Sequence, residues 1–166
     1  MNQELQNELF EKYPEIFAEK DLDMSVTCMC WGIETGDGWY KLLDSLCANL
    51  DHSMRNGHPQ VVATQVKEKF GDLRFYVDNA DEYQRGMITL AETMSECTCE
   101  TCGAIGTMKA DPRGWVSTLC DDCRSGNTTQ KLKEHLNTLI SSIDIGRSHV
   151  FLQEKINEIK LELSNE

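Results

Sequence analysis

Cys99 and Cys102 stand in a C-x2-C pair, Cys120 and Cys123 form another, and 17 residues separate the two pairs. Two-residue spacing lets both sulfurs of a pair turn toward one ion. Two such pairs supply the four thiolates of a tetrahedral site, which zinc accepts most readily. Four protein ligands close the coordination sphere, so one zinc ion is expected here as a structural cofactor, with no open position for a metal-bound hydroxide. Its binding energy would replace a core that about 25 residues cannot build alone. Cys97 is a spare thiol two residues before the first ligand, and exchanging it for Cys99 would lose the C-x2-C geometry.

Other residues able to do chemistry are less well arranged. Cys28 and Cys30, as C-x-C, lack a spaced histidine that would complete a second metal site with Cys47, so all three are expected as buried thiols. Asp37 in "GDGW", close to Glu34, suits a loop carboxylate, but capping a helix that begins near Gly38 is the simpler reading. His52, His58, His135 and His149 are scattered, fall in no catalytic arrangement and are expected to be exposed. There is no phosphate-cradling glycine loop and no serine elbow. Enzyme readings therefore lack a nucleophile, a base or an open metal.

The net charge of −12 is concentrated at the front, where residues 1–50 carry ten acids against three bases. Such a field repels nucleic acid unless a basic patch overcomes it, and no basic run exists. The segment from Cys99 to Arg124 holds four acids and three bases, and four thiolates around a dication add a further net −2, so nucleic-acid contact through the ribbon is disfavoured. The opening "MNQELQNELFEKYPEIF" has no basic stretch followed by an apolar core, and no apolar run reaches the roughly 20 residues that span a bilayer. A reducing cytoplasm is the expected location, and there eight cysteines favour metal over disulfides.

The elements that must position the cysteines are read from periodicity. Residues 3–20 suit a helix with Leu5, Leu9, Tyr13, Ile16 and Phe17 on one face, ended or kinked by Pro14. "SVTCMCWGI" suits a strand. Trp39, Leu42, Leu43, Leu46, Cys47 and Leu50 recur at helical spacing. "VVATQVKEKFGDLRFYV" reads as two strands joined at Gly71-Asp72 by a type II′ turn, with Phe70, Leu73, Phe75 and Val77 packing inward. A helix follows, with Tyr83, Met87, Leu90, Ala91 and Met94 expected to cover the sheet. Beyond the linker "RSGNTTQ", Leu132, Leu136, Leu139 and Ile143, then Leu152, Ile156, Ile159 and Leu163, predict a helical hairpin or coiled-coil-like tail. It would either fold back on the body or form a homodimer through residues 130–163.

With these residues in view, the chain resembles a group of small, zinc-ribbon-containing proteins of tailed bacteriophages and prophages. The resemblance rests on "CWGIETGDGWYKLLDSLC", "QVKEKFGDLRFYV", "AETMSECTCETCG" and "GWVSTLC", and runs from about Cys30 to Cys123. It implies a viral protein acting in the cytoplasm of an infected bacterium, and carries no settled activity with it.

The expected architecture is α+β: a small antiparallel sheet with packed helices over residues 1–98, a four-cysteine zinc ribbon over 99–124 and a helical extension over 125–166. The expected function is an accessory protein that binds and modulates a bacterial host protein, antiviral defence components included. Trp39, Phe75, Tyr76 and Trp115 are the candidate surface anchors. The alternative is a binder or enzyme for a small anionic ligand such as a nucleotide, with Glu34, Asp37, Lys67, Lys69 and Arg74 converging between the hairpin and the "GDGW" loop.

Overall fold

The first helix, α1 (Gln3–Lys12), starts where the Asn2 side chain accepts the amide hydrogen of Leu5 at 3.0 Å. It stops at Tyr13, because the residue before a proline is pushed out of helical geometry. The helix thus ends at Pro14, one of the two outcomes expected of that residue, and Pro14 to Asp21 run as turns that still bury Ile16 and Phe17 beside Leu9. A computed structural model describes residues 1–126 of the chain in this way, so the expected tail beyond Gly126, the seam at 130–163, His135 and His149 lie outside the described residues.

The expected strand at Ser25–Ile33 is largely a short 3-10 helix, Cys28–Trp31. The Thr27 hydroxyl accepts the Met29 amide at 3.2 Å, giving the backbone a local alternative to a sheet ladder. Only Ile33–Glu34 forms strand β1. A second 3-10 turn, Asp37–Trp39, then leads into α2 (Tyr40–Arg55), whose Leu43, Leu46, Cys47 and Leu50 are buried as their spacing predicts.

Strands β2 (Val62–Lys69) and β3 (Asp72–Asp78) pair antiparallel, and β1 pairs parallel to β2 through Ile33↔Val66 and Glu34↔Lys67. The order β1-β2-β3 is thus a mixed sheet rather than the antiparallel one expected. Lys69 and Asp72 face each other across the turn, which leaves Phe70 and Gly71 as its two central residues. Both have positive φ, 57° and 86°, which defines type I′ instead of the expected II′. The Glu68 carboxylate accepts the Gly71 amide at 2.6 Å, and Phe70 is exposed at the tip rather than packed inward.

Helix α3 (Glu82–Ser95) opens with a reciprocal capping box between Asp81 and Gln84. Its buried face is Gln84, Ile88, Ala91 and Ser95. Of the stripe expected to cover the sheet, Ala91 is buried and Met87 half-buried, whereas Tyr83, Leu90 and Met94 are exposed. The cause is Gln84: its side-chain amide donates to Ser53 Oγ at 3.0 Å and Pro59 O at 2.8 Å, so a polar residue occupies a core position that hydropathy would give to an apolar one. At the other end, Ser95 Oγ accepts the Leu73 amide at 2.8 Å and Glu92 Oε1 accepts the Phe75 amide at 3.0 Å, which occupies outward backbone donors of β3.

Trp39, Phe17, Leu9, Leu50 and Val66 are among the side chains of one buried cluster joining α1, α2 and the sheet. Burying each large apolar side chain contributes about 1.5–3 kcal/mol. The second sheet pairs β4 (Thr107–Ala110) with β5 (Val116–Leu119), followed by α4 (Asp121–Ser125). Met1–Asp121 form one compact unit. Among the described residues no helix is long and apolar enough to cross a membrane.

Candidate metal centre

Cys99 follows the end of α3, Cys102 closes the turn after it, Cys120 directly follows β5, and Cys123 lies in α4. Their four sulfurs all lie within 4.8 Å of one another. The Cys102 and Cys120 sulfurs are 3.7 Å apart, and none of the eight cysteines is in a disulfide. With metal–sulfur bonds of about 2.3 Å, the edge of a tetrahedron is about 3.8 Å, so this separation fits two thiolates on one ion. A disulfide would need about 2.05 Å. Four sulfurs fill a tetrahedral sphere, which suits holding the chain and leaves no position for substrate or water.

The first knuckle is built by its own backbone. Gly103 N–H donates to Cys99 O at 2.8 Å, Cys99 N–H to Ala104 O at 2.7 Å, and Gly106 N–H to Cys97 O at 2.9 Å. Burial opposes ionisation of the Cys99 thiol, but hydrogen bonds from the backbone of Cys120, Cys102 and Thr101 and from the Cys102 side chain outweigh it and bring its pKa down to about 7. The site therefore favours the thiolate a metal requires.

The "GDGW" loop turns out to be the seat of this knuckle. Gly38 N–H donates to Glu100 O at 2.8 Å, Gly36 N–H to the Glu100 carboxylate at 2.8 Å, and the Trp39 indole N–H to Thr98 O at 2.8 Å. A Cβ at Gly38 would lie 2.3 Å from Cys99 O, and one at Gly36 would lie 2.3 Å from Glu100 O, so only glycine allows this approach. Burial raises the Glu100 pKa, while the Gly36 amide pulls the other way. From the opposite side, Glu100 N–H donates to Thr118 O at 2.9 Å and the buried Thr118 hydroxyl to Gly71 O at 2.7 Å, which ties the ribbon to the tip of the β2–β3 hairpin. The two glycines around Asp37 were the only sequence signal of this docking.

Asp37 does not cap α2; it is exposed and lines a groove with Leu5, Tyr40 and Lys41. Its carboxylate accepts the backbone amide of Asn2 at 2.7 Å and the Asn2 side chain at 2.8 Å, fastening the start of α1. Glu34, Lys67 and Arg74 do come together as one row across β1, β2 and β3, with Lys69 two residue pairs nearer the turn. Arg74 is held by Asp72 at 2.9 Å, and Lys67 and Lys69 lie over the rings of Tyr76 and Phe70. The five residues expected around an anionic ligand are thus divided between a cross-strand row and the Asp37–Asn2 contact.

Of the candidate anchors, Trp39 and Phe75 are buried and serve the core; their aromatic character reflects packing. Tyr76 is 42% exposed and Trp115 69%. Asp111 Oδ1 accepts the amides of Arg113 and Trp115 at 2.8 and 2.9 Å and so fixes the turn that presents Trp115. Cys97 is exposed, its thiol donating to Met94 O at 3.3 Å, and it stays outside the four-sulfur group. Cys47 is buried, and burial pushes its thiol pKa up; Cys28 and Cys30 are half-buried rather than buried, and no second metal-capable group forms among the described residues. His52 is exposed as expected, whereas His58 is half-buried and its Nδ1 pairs with Asp81 at 2.7 Å. No family model, curated protein or solved structure matches the chain.

Proposed function

We propose that the protein is a zinc-stabilised accessory protein of a tailed bacteriophage that binds a bacterial host protein in the cytoplasm and modulates it. The observation that carries this reading is the closed four-thiol group seated on the "GDGW" loop. An ion held there serves the scaffold, and a rigid scaffold with exposed aromatic side chains suits recognition better than turnover. Zinc readily takes four thiolates in tetrahedral geometry, and sulfurs at these separations are compatible with it. The resemblance to phage-encoded proteins supplies the setting, and proteins of antiviral defence are the first class of target to test.

The division of Asp37 from the Lys67–Arg74 row speaks against a small anionic ligand. The test is affinity capture of the tagged, zinc-loaded chain from bacterial lysate, with mass spectrometry of co-purifying proteins and small molecules. One stoichiometric host protein is the expected result. A nucleotide or metabolite retained without a protein would overturn the reading.

A further inference from the structure

Strand β4 keeps an open margin. Asp111 N–H donates to Trp115 O at 2.8 Å at the end of the ribbon ladder, so the alternate pairs Lys109↔Ser117 and Thr107↔Leu119 are the ones that exchange main-chain hydrogen bonds. The N–H and C=O groups of Met108 and Ala110 therefore face away from β5. Two neighbours fix this parity: Gly106 N–H points outward to Cys97 O at 2.9 Å, and Thr118 O on the other strand points outward to Glu100 N–H at 2.9 Å. Among the described residues nothing bonds to the outward groups of Met108 and Ala110, and all four residues of β4 are exposed. Other margins are taken. Ser95 and Glu92 hold the amides of Leu73 and Phe75, Gln6 Oε1 accepts the Ile33 amide at 2.7 Å, and Glu100 occupies Thr118 O on β5. A bare strand margin is complemented over successive residues by another extended chain, which carries the matching N–H and C=O groups.

The side chains of β4 set what that chain must be. Successive residues of a strand point to opposite faces. Met108 lies on the face turned to the β2–β3 hairpin, its Cγ 3.1 Å from the place a Cβ on Gly71 would take, next to the exposed Phe70. Lys109 lies on the opposite face with Ser117, and its ion pair with Asp121 is long, 3.9 Å, between two exposed side chains. Arg113, 92% exposed, stands at the turn beyond, where the Asp111 carboxylate already accepts the amides of Arg113 and Trp115. A chain laid antiparallel along this margin bonds to Met108 and Ala110. Its residue in between then stands opposite Lys109 in the position where cross-strand side chains come closest. An acid there complements Lys109, and the residues on either side of it fall on the apolar Met108 face. The net charge of −12 is screened beyond about 8 Å at physiological ionic strength, so the adjacent cations decide.

A second copy of the chain fits this margin poorly. The register that pairs Met108 of one copy with Ala110 of the other sets Lys109 directly against Lys109. Shifting one way brings in Gly106, whose N–H already serves Cys97; shifting the other way brings in Pro112, which has no N–H. We propose that β4 takes up an extended segment of a partner protein as an added antiparallel strand, through an apolar-acidic-apolar run whose acid faces Lys109. The proposal gives the chemistry of the partner in the binding reading above and rests on it.

The test uses the full, zinc-loaded chain and a fluorescent synthetic peptide of alternating valine and glutamate, about six residues long. A second probe carries lysine in place of glutamate, and a third carries N-methyl groups on the valine amides, which removes the donors for Met108 O and Ala110 O. Saturable binding of the glutamate probe is expected. It should be weakened about tenfold by Ala110→Pro, which removes one outward N–H and none of the bonds to β5, and by Lys109→Glu, which also turns the preference toward the lysine probe. Zinc content and Tm check that the ribbon is intact in both variants, and should Ala110→Pro lose zinc, Lys109→Glu and the N-methyl probe carry the test. Absence of saturable binding, equal binding of the lysine or N-methyl probe, or no turn of preference in Lys109→Glu would overturn the proposal. So would a concentration-dependent dimer, seen by sedimentation, that Ala110→Pro dissolves, since a second copy would then be the occupant. Host-protein capture unchanged by both variants would remove this margin and leave the binding function standing. Variant-sensitive probe binding without any captured host protein would support the margin and remove the host reading.

Discussion

Adding one methyl group at Gly38 should separate the metal knuckle from its seat. The Cβ of Gly38→Ala would lie 2.3 Å from Cys99 O, 2.5 Å from Gly103 N and 2.6 Å from Cys102 N. All three are backbone atoms, so no side chain can rotate away, and the closest is about 1 Å short of a relaxed contact. The loop must lift. Lifting removes the Gly38 and Gly36 bonds to Glu100 and the Trp39 bond to Thr98. At roughly 1 kcal/mol per bond, and 1–3 where a partner is left buried, the expected loss is about 3–5 kcal/mol. For a chain of this length that corresponds to a fall in Tm of about 6–20 °C. Gly57→Ala is the control: its φ is 94°, nothing lies within 4 Å of its Cβ position, and strain alone costs about 1–2 kcal/mol. Urea unfolding followed by circular dichroism gives the stabilities, and a colorimetric chelator gives the rate of metal release. Gly38→Ala should be the less stable of the two by about 1–4 kcal/mol and should release metal faster. If the two variants were indistinguishable in both assays, the packing of loop on knuckle would be refuted.

Cys102→Ser removes one of four donors and should abolish stoichiometric zinc, measured by elemental analysis, and lower Tm; Cys97→Ser, outside the group, should keep full zinc. Trp39→Phe keeps the buried ring but leaves Thr98 O without its indole donor, with an expected loss of about 1–3 kcal/mol in urea unfolding. Asp81 is held below the usual carboxylate range, first by the Gln84 amide and then by His58. A depressed folded pKa adds stability above the unfolded value of about 3.9, and that stability is lost as pH falls through the lower folded value. Asp81→Asn should therefore be less stable than the parent at pH 6, and the gap should close in acid-unfolding curves taken toward pH 2.

The cysteine spacing made the metal group legible because C-x2-C geometry is local and needs no knowledge of the rest of the chain. Helix α2 was legible for the same reason, since Leu43, Leu46, Cys47 and Leu50 repeat at the period of the structure they form. Helix α3 was legible as a helix but not in its rotation. Tyr83, Leu90 and Met94 looked like the core face until Gln84 found partners in Ser53 and Pro59, contacts 31 and 25 residues away in sequence. The hairpin turn shifted by one residue because Phe70 takes a left-handed conformation that is unusual for an aromatic side chain. "GDGW" read as a loop with a carboxylate, and its glycines were needed instead for a contact 62 residues away, from Gly38 to Glu100. Long-range backbone contacts of this kind leave only a pattern of missing side chains in the sequence.

The side chains that close over β3 also decide how the protein behaves among its own copies. A strand at the margin of a sheet ordinarily offers its outward amides to any extended chain that drifts past, which is how many soluble proteins begin to aggregate. In this sheet two of those donors, on Leu73 and Phe75, already serve Ser95 and Glu92. A stray strand would have to displace a hydroxyl and a carboxylate, and the carboxylate would also repel acidic newcomers. At the β3 edge, then, the helix that packs against the sheet also guards it against the addition of a further strand.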